Sequence, residues 1–468
     1  MDLSPRRESQ NSVVPSIPVI IIFFALTLLG GFIIAQATPL ILPAQASLQA
    51  QNTDQLVFVL LLIGGVVFCI TQGILVYAII RFRARANDTS DGVPFHGNTT
   101  LEIVWTIIPA IIVAVLAVLS FNVWTTNNTP REAVNFVNGE SIRVLSIGAR
   151  YAFSFEYYTN EAFTAADGTE QTAVLRSDAL HVYAGQHVKV EMEARDVIHS
   201  FWVPAFRVKQ DLIPGRITEV RFDPIATAEG FPYRFDENGI IQTLTPEQAR
   251  LSADEARAQG IGDRFTIYPL RCTELCGSGH GAMIANVFVH EDEQAYLNNF
   301  FNPTLDSVLN PPDDPILQGR AILQAGAYPC ANCHVLTSLN WNGVVGPTLN
   351  GIGTRSARRV GGRNAVEYLV ESIHLPNEYI VPGYAAGQMP YFGTSPTPPP
   401  GHAPYNYMPE NDLIGIVAYL CTQTETGDPT TTTCGFEVNP DGTSVDPAVT
   451  REVIEAVTAT YRSLYGQE

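Results

Sequence analysis

Residues 272–283 read Cys-Thr-Glu-Leu-Cys-Gly-Ser-Gly-His-Gly-Ala-Met, and a His-Ser-Phe-Trp-Val-Pro segment beginning at His199 lies upstream. Two thiols, two imidazoles and a thioether are therefore on offer. Soft sulfur ligands combined with imidazole favour copper over hard cations, and a Met beside Cys and His marks an electron-transfer copper site rather than a structural zinc. Cys272 and Cys276 are separated by three residues, among them Glu274, whose backbone carbonyl is a further donor. Two thiolates so placed can bridge two metal ions. The competing readings are a disulfide between the two cysteines, a zinc site, and ordinary packing for the His and Met. Further on, Cys330-Ala331-Asn332-Cys333-His334 is the C-x-x-C-H pattern of covalent haem attachment, in which two thioethers fix the porphyrin and His334 ligates the iron.

The order and spacing of His199, Cys272, Glu274, Cys276, His280 and Met283 resemble subunit II of the haem-copper cytochrome c oxidases. The resemblance implies that these six hold a binuclear CuA centre, with the Glu274 carboxylate open to a magnesium shared with the large subunit. It places Glu102, in Glu-Ile-Val-Trp-Thr-Ile-Ile-Pro, at the cytoplasmic entrance of a proton pathway, the alternative being an interfacial charge. Asp196, near His199, is expected on an acidic docking surface or as a plain surface residue. Where the family commonly has a Trp-rich segment that receives electrons from soluble cytochrome c, this chain has Arg150-Tyr151-Ala152-Phe153-Ser154-Phe155-Glu156-Tyr157. Tyr151 is the residue there that could assist electron transfer; Phe153 and Phe155 are expected in the core.

The surroundings of the second motif resemble a class I cytochrome c: a helix over 319–327 running into it, Gly346-Pro347-Thr348-Leu349 after it, and an apolar-faced helix over 411–420. In that family the Pro347 carbonyl would accept a hydrogen bond from His334, and the sixth iron ligand would be a Met. Met389, in Pro382-Gly383-Tyr384-Ala385-Ala386-Gly387-Gln388-Met389-Pro390, resembles fused oxidase cytochromes and is preferred to Met408, where capping or packing suffices.

The chain that must position these groups has 468 residues, enough for about three domains. Three uncharged apolar runs, at 17–35, 55–80 and 103–123, are each long enough to span a membrane. Arg6 and Arg7 precede the first and Arg81, Arg83 and Arg85 follow the second, which puts everything after Val123 outside the cytoplasm. The first run is either a signal peptide or a third helix. After Pro130 come 22 basic and 40 acidic residues, a formal −18, which argues against nucleic acid as a partner.

The expected organisation is multidomain. An N-terminal signal or helix (1–46) is followed by a transmembrane helical hairpin (55–124), an all-β Greek-key cupredoxin barrel (134–300), a Pro- and Asp-rich linker (301–315), an all-α cytochrome c domain (316–425) and a tail with an amphipathic helix at 447–465 (426–468). Alternation such as His187-Val188-Lys189-Val190-Glu191-Met192-Glu193 predicts the strands, read as an antiparallel sandwich. Residues 225–264 look like a surface insertion with one helix at 246–259. Cys69 lies in a membrane run, and Cys421 and Cys434 are either a disulfide or two free thiols.

The resemblance implies an electron-accepting subunit in a bacterial plasma membrane. The expected route runs from an external donor, such as a cytochrome c or blue copper protein, to haem c, then CuA, then a subunit I holding haem and CuB, with subunit III alongside. Dioxygen reduction and proton pumping fall to subunit I by resemblance. The alternative is a CuA subunit of another terminal reductase, such as a nitric oxide reductase. Nitrous oxide reductase would need a histidine-rich propeller, a quinol oxidase subunit would lack the copper ligands, and a copper-storage protein or structural anchor has no use for a covalent haem.

Overall fold

The computed structural model describes residues 17–83, 97–131, 134–164, 169–237, 239–394 and 405–464. Arg6, Arg7 and Arg85 of the orientation argument, and Tyr465 of the last helix, lie outside them. The chain divides into two bodies, the first comprising 1–44 and 51–129, the second 45–50 and 130–468.

The first body contains three helices long and apolar enough to cross a membrane, Ile17–Ile41, Leu48–Arg81 and Thr99–Asn128. They outrun the apolar runs because their polar ends are also helical. Asn98, for instance, accepts from the Leu101 N–H at 3.2 Å and starts the third helix four residues before its apolar stretch. The first two helices meet through glycine: a Cβ on Gly31 would come within 2.4 Å of Val66 Cγ2. Without a hydrophobic drive between helices in lipid, such close backbone approach supplies the attraction. Asn52 donates to Asn127 Oδ1 at 2.8 Å, joining the second helix to the third.

The second body begins with a sandwich of two sheets. In one, Thr218–Phe222, Val188–Ala194, Arg143–Ala149, Ala152–Thr164 and Glu170–Ser177 lie in that order. In the other, Ile241–Thr243, Tyr233–Phe235, Arg264–Arg271, Ile284–His290 and Leu180–Tyr183 are neighbours, with His199–Val203 and Val208–Leu212 attached. Strand periodicity sets the core: Val188, Val190, Met192 and Ala194 are buried while Lys189, Glu191 and Glu193 face outward. The sandwich is not wholly antiparallel, as the alternation had suggested. Arg143–Ala149 runs parallel to Val188–Ala194, and Ile284–His290 parallel to Leu180–Tyr183, because the chain crosses between sheets there.

The 225–264 segment is built in rather than looped out. Tyr233–Phe235 pairs with Arg264–Arg271 and with Ile241–Thr243, extending the second sheet. The helix expected over 246–259 is two short helices, Pro246–Ala249 and Ala253–Ala258, because Ser252 and Glu255 form a capping box that restarts the chain. Arg264 anchors both: fully buried, it donates to Glu291 at 2.9 Å and to the Gln248 and Leu251 carbonyls at 2.6 and 2.9 Å.

The expected linker is also largely ordered. Asn302–Leu309 is helical, continuing from 293–301 through a π-helical stretch, Leu297–Phe301, just ahead of Pro303, and Phe300, Phe301, Leu305 and Val308 pack on the sandwich core. A helical domain follows, with helices Pro315–Gln324, Ala365–His374, Glu410–Cys421 and Pro447–Leu464 around one core. The first of these starts four residues before the predicted 319, at Pro315, because Asp314 caps it at the Ile316 N–H. It crosses Glu410–Cys421 at Gly319 and Gly415, where a Cβ on Gly319 would lie 1.8 Å from the Gly415 oxygen. Residues 426–464 belong to this domain instead of forming a tail: Cys434 is disulfide-bonded to Cys421, Ile454 is buried in the core, and Tyr461 donates to Glu371 at 2.8 Å.

Candidate metal centre

The 272–283 loop joins the antiparallel strands Arg264–Arg271 and Ile284–His290 and folds back on itself. Cys272 N–H donates to the Met283 carbonyl at 3.1 Å, and His280 N–H to that of Gly277 at 3.1 Å. His199 opens the strand His199–Val203, which reaches the same end of the sheet by placing Trp202 opposite Arg271. Seventy-odd residues of sequence separation thus become contact.

All six expected ligands converge. Cys272 Sγ and Cys276 Sγ are 3.9 Å apart and not bonded to each other. His199 Nδ1 is 4.0 Å from the Cys272 sulfur and the Glu274 carbonyl oxygen 3.2 Å from it. On the other thiol, His280 Nδ1 lies at 3.6 Å and Met283 Sδ at 3.9 Å. Each sulfur therefore has its own imidazole. Two sulfurs 3.9 Å apart, unbonded to each other, could both ligate the same metal ions. A zinc site would close with four ligands, whereas this loop and His199 together present six in two halves.

The electrostatics favour deprotonated sulfur on one side. Burial opposes ionisation of Cys272, but hydrogen bonding to His199 and to the Ser200 backbone carries its thiol down to about 6. Burial first, then the charge of Cys272, pushes Cys276 up to about 12. A metal binding both sulfurs must displace the Cys276 proton.

Asp196 is where the sequence reading fails. It is not on a docking surface: its side chain is 1 % exposed. Its Oδ1 accepts from His199 Nε2 and from the Val197 N–H, both at 2.7 Å, and its Oδ2 from the Arg150 N–H and Nε at 2.9 and 3.0 Å. These bonds, against burial, hold the carboxyl down at about 2. The His199 proton is thereby fixed on Nε2, leaving the Nδ1 lone pair toward the sulfurs, as outer partners of metal-bound imidazoles generally do. The three-residue spacing from Asp196 to His199 was the available signal.

Tyr151 lies against the same loop. A Cβ on Gly277, whose φ is +134°, would meet Tyr151 Oη at 2.4 Å, and one on Gly279 would meet Cδ2 at 2.4 Å, so the ring is seated on bare glycine backbone. Phe153 and Phe155 are fully buried in the core, as expected.

The second cluster lines an apolar cavity in the helical domain that includes Cys330, Cys333, His334, Met389 and Met408, and Tyr151 and Ala152 of the sandwich complete its wall. His334 Nδ1 is 2.7 Å from the Pro347 oxygen, which leaves Nε2 free. A Cβ on Gly346 would come within 2.7 Å of His334 Cε1, so glycine gives the ring its space. Burial pushes the Cys330 thiol up to about 12 and raises Cys333 too. The donor set, the free Nε2 and the apolar walls fit a covalent haem. The structure brings both methionines to the cavity; Met408 is the more buried and its N–H donates to the Gly393 carbonyl at 2.9 Å.

The remaining expected residues stand apart. Glu102 is exposed in the first turn of Thr99–Asn128, where a carboxylate also suits the helix N-terminus. The Glu274 carboxylate, 42 % exposed, pairs with Lys209 at 3.4 Å.

The transmembrane domain of cytochrome c oxidase subunit II matches residues 35–123, and the periplasmic domain of the same subunit matches 142–234. Cytochrome c oxidase subunit 2 of Synechocystis sp. is 30 % identical over 285 residues, covering 54 % of this chain and 73 % of that protein. The chain belongs to the cytochrome c oxidase subunit II family. The subunit 2 of Thermostichus vulcanus is 29 % identical over 299 residues, covering 54 % of this chain and 76 % of its own. The solved periplasmic domain of subunit II of cytochrome oxidase from Bradyrhizobium japonicum covers 37 % of this chain and is itself 96 % covered, at 20 % identity and a TM-score of 0.21. Membership makes this subunit II part of a haem-copper oxidase with a subunit I partner, anchored in a membrane with its β domain outside, and it implies CuA copper.

Proposed function

We propose that this subunit receives electrons on a haem c and a binuclear CuA centre and delivers them to a subunit I in which haem and CuB reduce dioxygen to water and pump protons. His199, Cys272, the Glu274 carbonyl, Cys276, His280 and Met283 would hold the coppers; Cys330, Cys333 and His334 would hold the haem, with Met389 as sixth ligand. The bound groups supply reversible one-electron storage. A cytochrome c or blue copper donor, a subunit III, a magnesium at the Glu274 carboxylate, a proton pathway beginning near Glu102 and a bacterial plasma membrane belong to the same proposal.

The residues of this chain divide the work. Asp196 orients His199, the Pro347 carbonyl orients His334, and the two glycines at 277 and 279 bring Tyr151 against the copper loop, while Tyr151 also lines the haem cavity. The observation that carries the reading is the sulfur pair at 3.9 Å with one imidazole on each side.

Metal analysis, pyridine haemochrome assay and electron paramagnetic resonance of the purified subunit test it. Two coppers sharing one unpaired electron and one covalent haem are expected; zinc, or a mononuclear copper signal, would refute the CuA assignment.

A further inference from the structure

The sandwich meets the segment that carries the chain into Cys330 at several successive points. A Cβ on Gly239 would lie 3.3 Å from Gln324 Nε2, and one on Gly326, whose φ is +68°, would come within 2.4 Å of Asp178 Oδ1. The turn Pro329–Asn332 packs on the strand Ala152–Thr164. Tyr328, between these contacts, is 3 % exposed, and its Oη donates at 2.6 Å to Asp412 Oδ2 in the first turn of Glu410–Cys421.

A cation of the sandwich answers this pair. Arg176 stands on Glu170–Ser177, the edge strand of the first sheet, opposite Glu156 of the neighbouring strand, and its Nε lies 3.2 Å from Glu156 Oε1. Burial works against its charge, but the charges of Tyr328, Glu156 and Asp412 outweigh that and raise the proton affinity of the guanidinium. Burial likewise raises the Asp412 carboxyl, opposed by the Tyr328 hydrogen bond and then by the charge of Arg176. One guanidinium therefore serves two carboxylates, Glu156 of the sandwich and Asp412 of the helical domain. Its five donors suffice for both, and a carboxylate withdrawn from water without a counter-charge is costly.

Resting on the haem c and CuA reading above, we propose that Arg176 is a positioning residue for electron transfer between the two sites. Acting through Asp412 and Tyr328, it holds the haem-attachment segment against the sandwich. It thereby fixes the gap across which the ferrous haem is oxidised and CuA is reduced by one electron. The covalent connection alone keeps the two sites near each other without fixing their separation.

The test compares full-length wild type with Arg176→Gln, Arg176→Lys, Asp412→Asn and the double variant Arg176→Gln with Asp412→Asn. A laser flash with a flavin photoreductant reduces the haem, and its reoxidation by CuA is followed by absorbance. In Arg176→Gln, haemochrome content and the copper resonance should match wild type, while the rate falls about tenfold because the docked arrangement becomes a minor population. That residual rate should slow further in glycerol, which should leave wild type unaffected, and Arg176→Lys should recover most of the loss. Asp412→Asn should slow transfer too, and the double variant no more than the slower single one, as residues acting as a unit do. Fully loaded Arg176→Gln with a wild-type rate overturns the inference, as do additive losses in the double variant. Loss of haem or copper from Arg176→Gln also overturns it, by making Arg176 a folding residue. A wild type without haem c or without CuA defeats the underlying reading instead.

Discussion

Replacing Asp196 by Asn preserves size and removes one acceptor, and the consequence can be worked from four hydrogen bonds. Oδ1 serves His199 and Val197, both at 2.7 Å, and Oδ2 serves the Arg150 N–H and Nε at 2.9 and 3.0 Å. An amide has a single oxygen, so in either orientation its NH2 group confronts two donors. With the oxygen toward His199, the Arg150 side is stranded; turned over, the His199 proton loses its acceptor and the imidazole its fixed tautomer. A buried polar group left unpaired costs about 1–3 kcal/mol. Loss of such an outer partner weakens metal affinity about 10–100-fold, or about 1.4–2.7 kcal/mol. The assay is competition for copper between the purified protein and a chromophoric chelator, read for wild type and Asp196→Asn together with the copper resonance spectrum. Copper retention within twofold of wild type and an unchanged spectrum would refute the reasoning.

Gly319→Ala should force the helices Pro315–Gln324 and Glu410–Cys421 apart, since the new Cβ would lie 1.8 Å from the Gly415 oxygen; a loss of about 3 kcal/mol and roughly 6–12 °C in Tm is expected by circular dichroism, and an unchanged melt would contradict it. His290 is fully buried and held by burial at about 3, so between about pH 6.5 and pH 3 only the unfolded chain takes up its proton. Stability should therefore fall on acidification through that window by about 1.4 kcal/mol per pH unit from this group, with His181, also depressed by burial, adding to it. Urea midpoints from pH 7 to pH 4.5 should decline less steeply in His290→Phe; parallel slopes would exclude this origin. Cys434→Ser opens a loop closed by cysteines 13 residues apart, and denaturant unfolding should report a loss of about 3 kcal/mol, with a change under about 1 kcal/mol counting against it.

What the sequence made legible was local. The Cys272–Met283 spacing is a loop property, so the groups that the loop gathers could be named as candidate ligands before the fold was known, and only His199 had to be brought from afar. Hydrophobic runs likewise announced the membrane helices, and the alternation at 188–194 its strand. What stayed illegible depended on partners distant in sequence. Asp196 reads as one more acid in an acidic chain until the Arg150 turn is seen folded over it. Pro303 and the acids around it read as a linker because Phe300, Phe301 and Leu305 have no visible partner until the sandwich core exists. The 225–264 segment was obscure for the same reason, its anchor being the Arg264–Glu291 pair between neighbouring strands. Met389 and Met408 are both at the cavity, which spacing alone could not anticipate.

Tyr151 and Ala152 form part of the wall of a cavity whose remaining lining comes from beyond residue 322. Neither portion is watertight alone. Excising the helical domain would leave its apolar cavity open along one flank, and trimming the sandwich hairpin would do the same from the other direction. The ribosome delivers the hairpin first, so this cavity can close only once the later segment has folded against it.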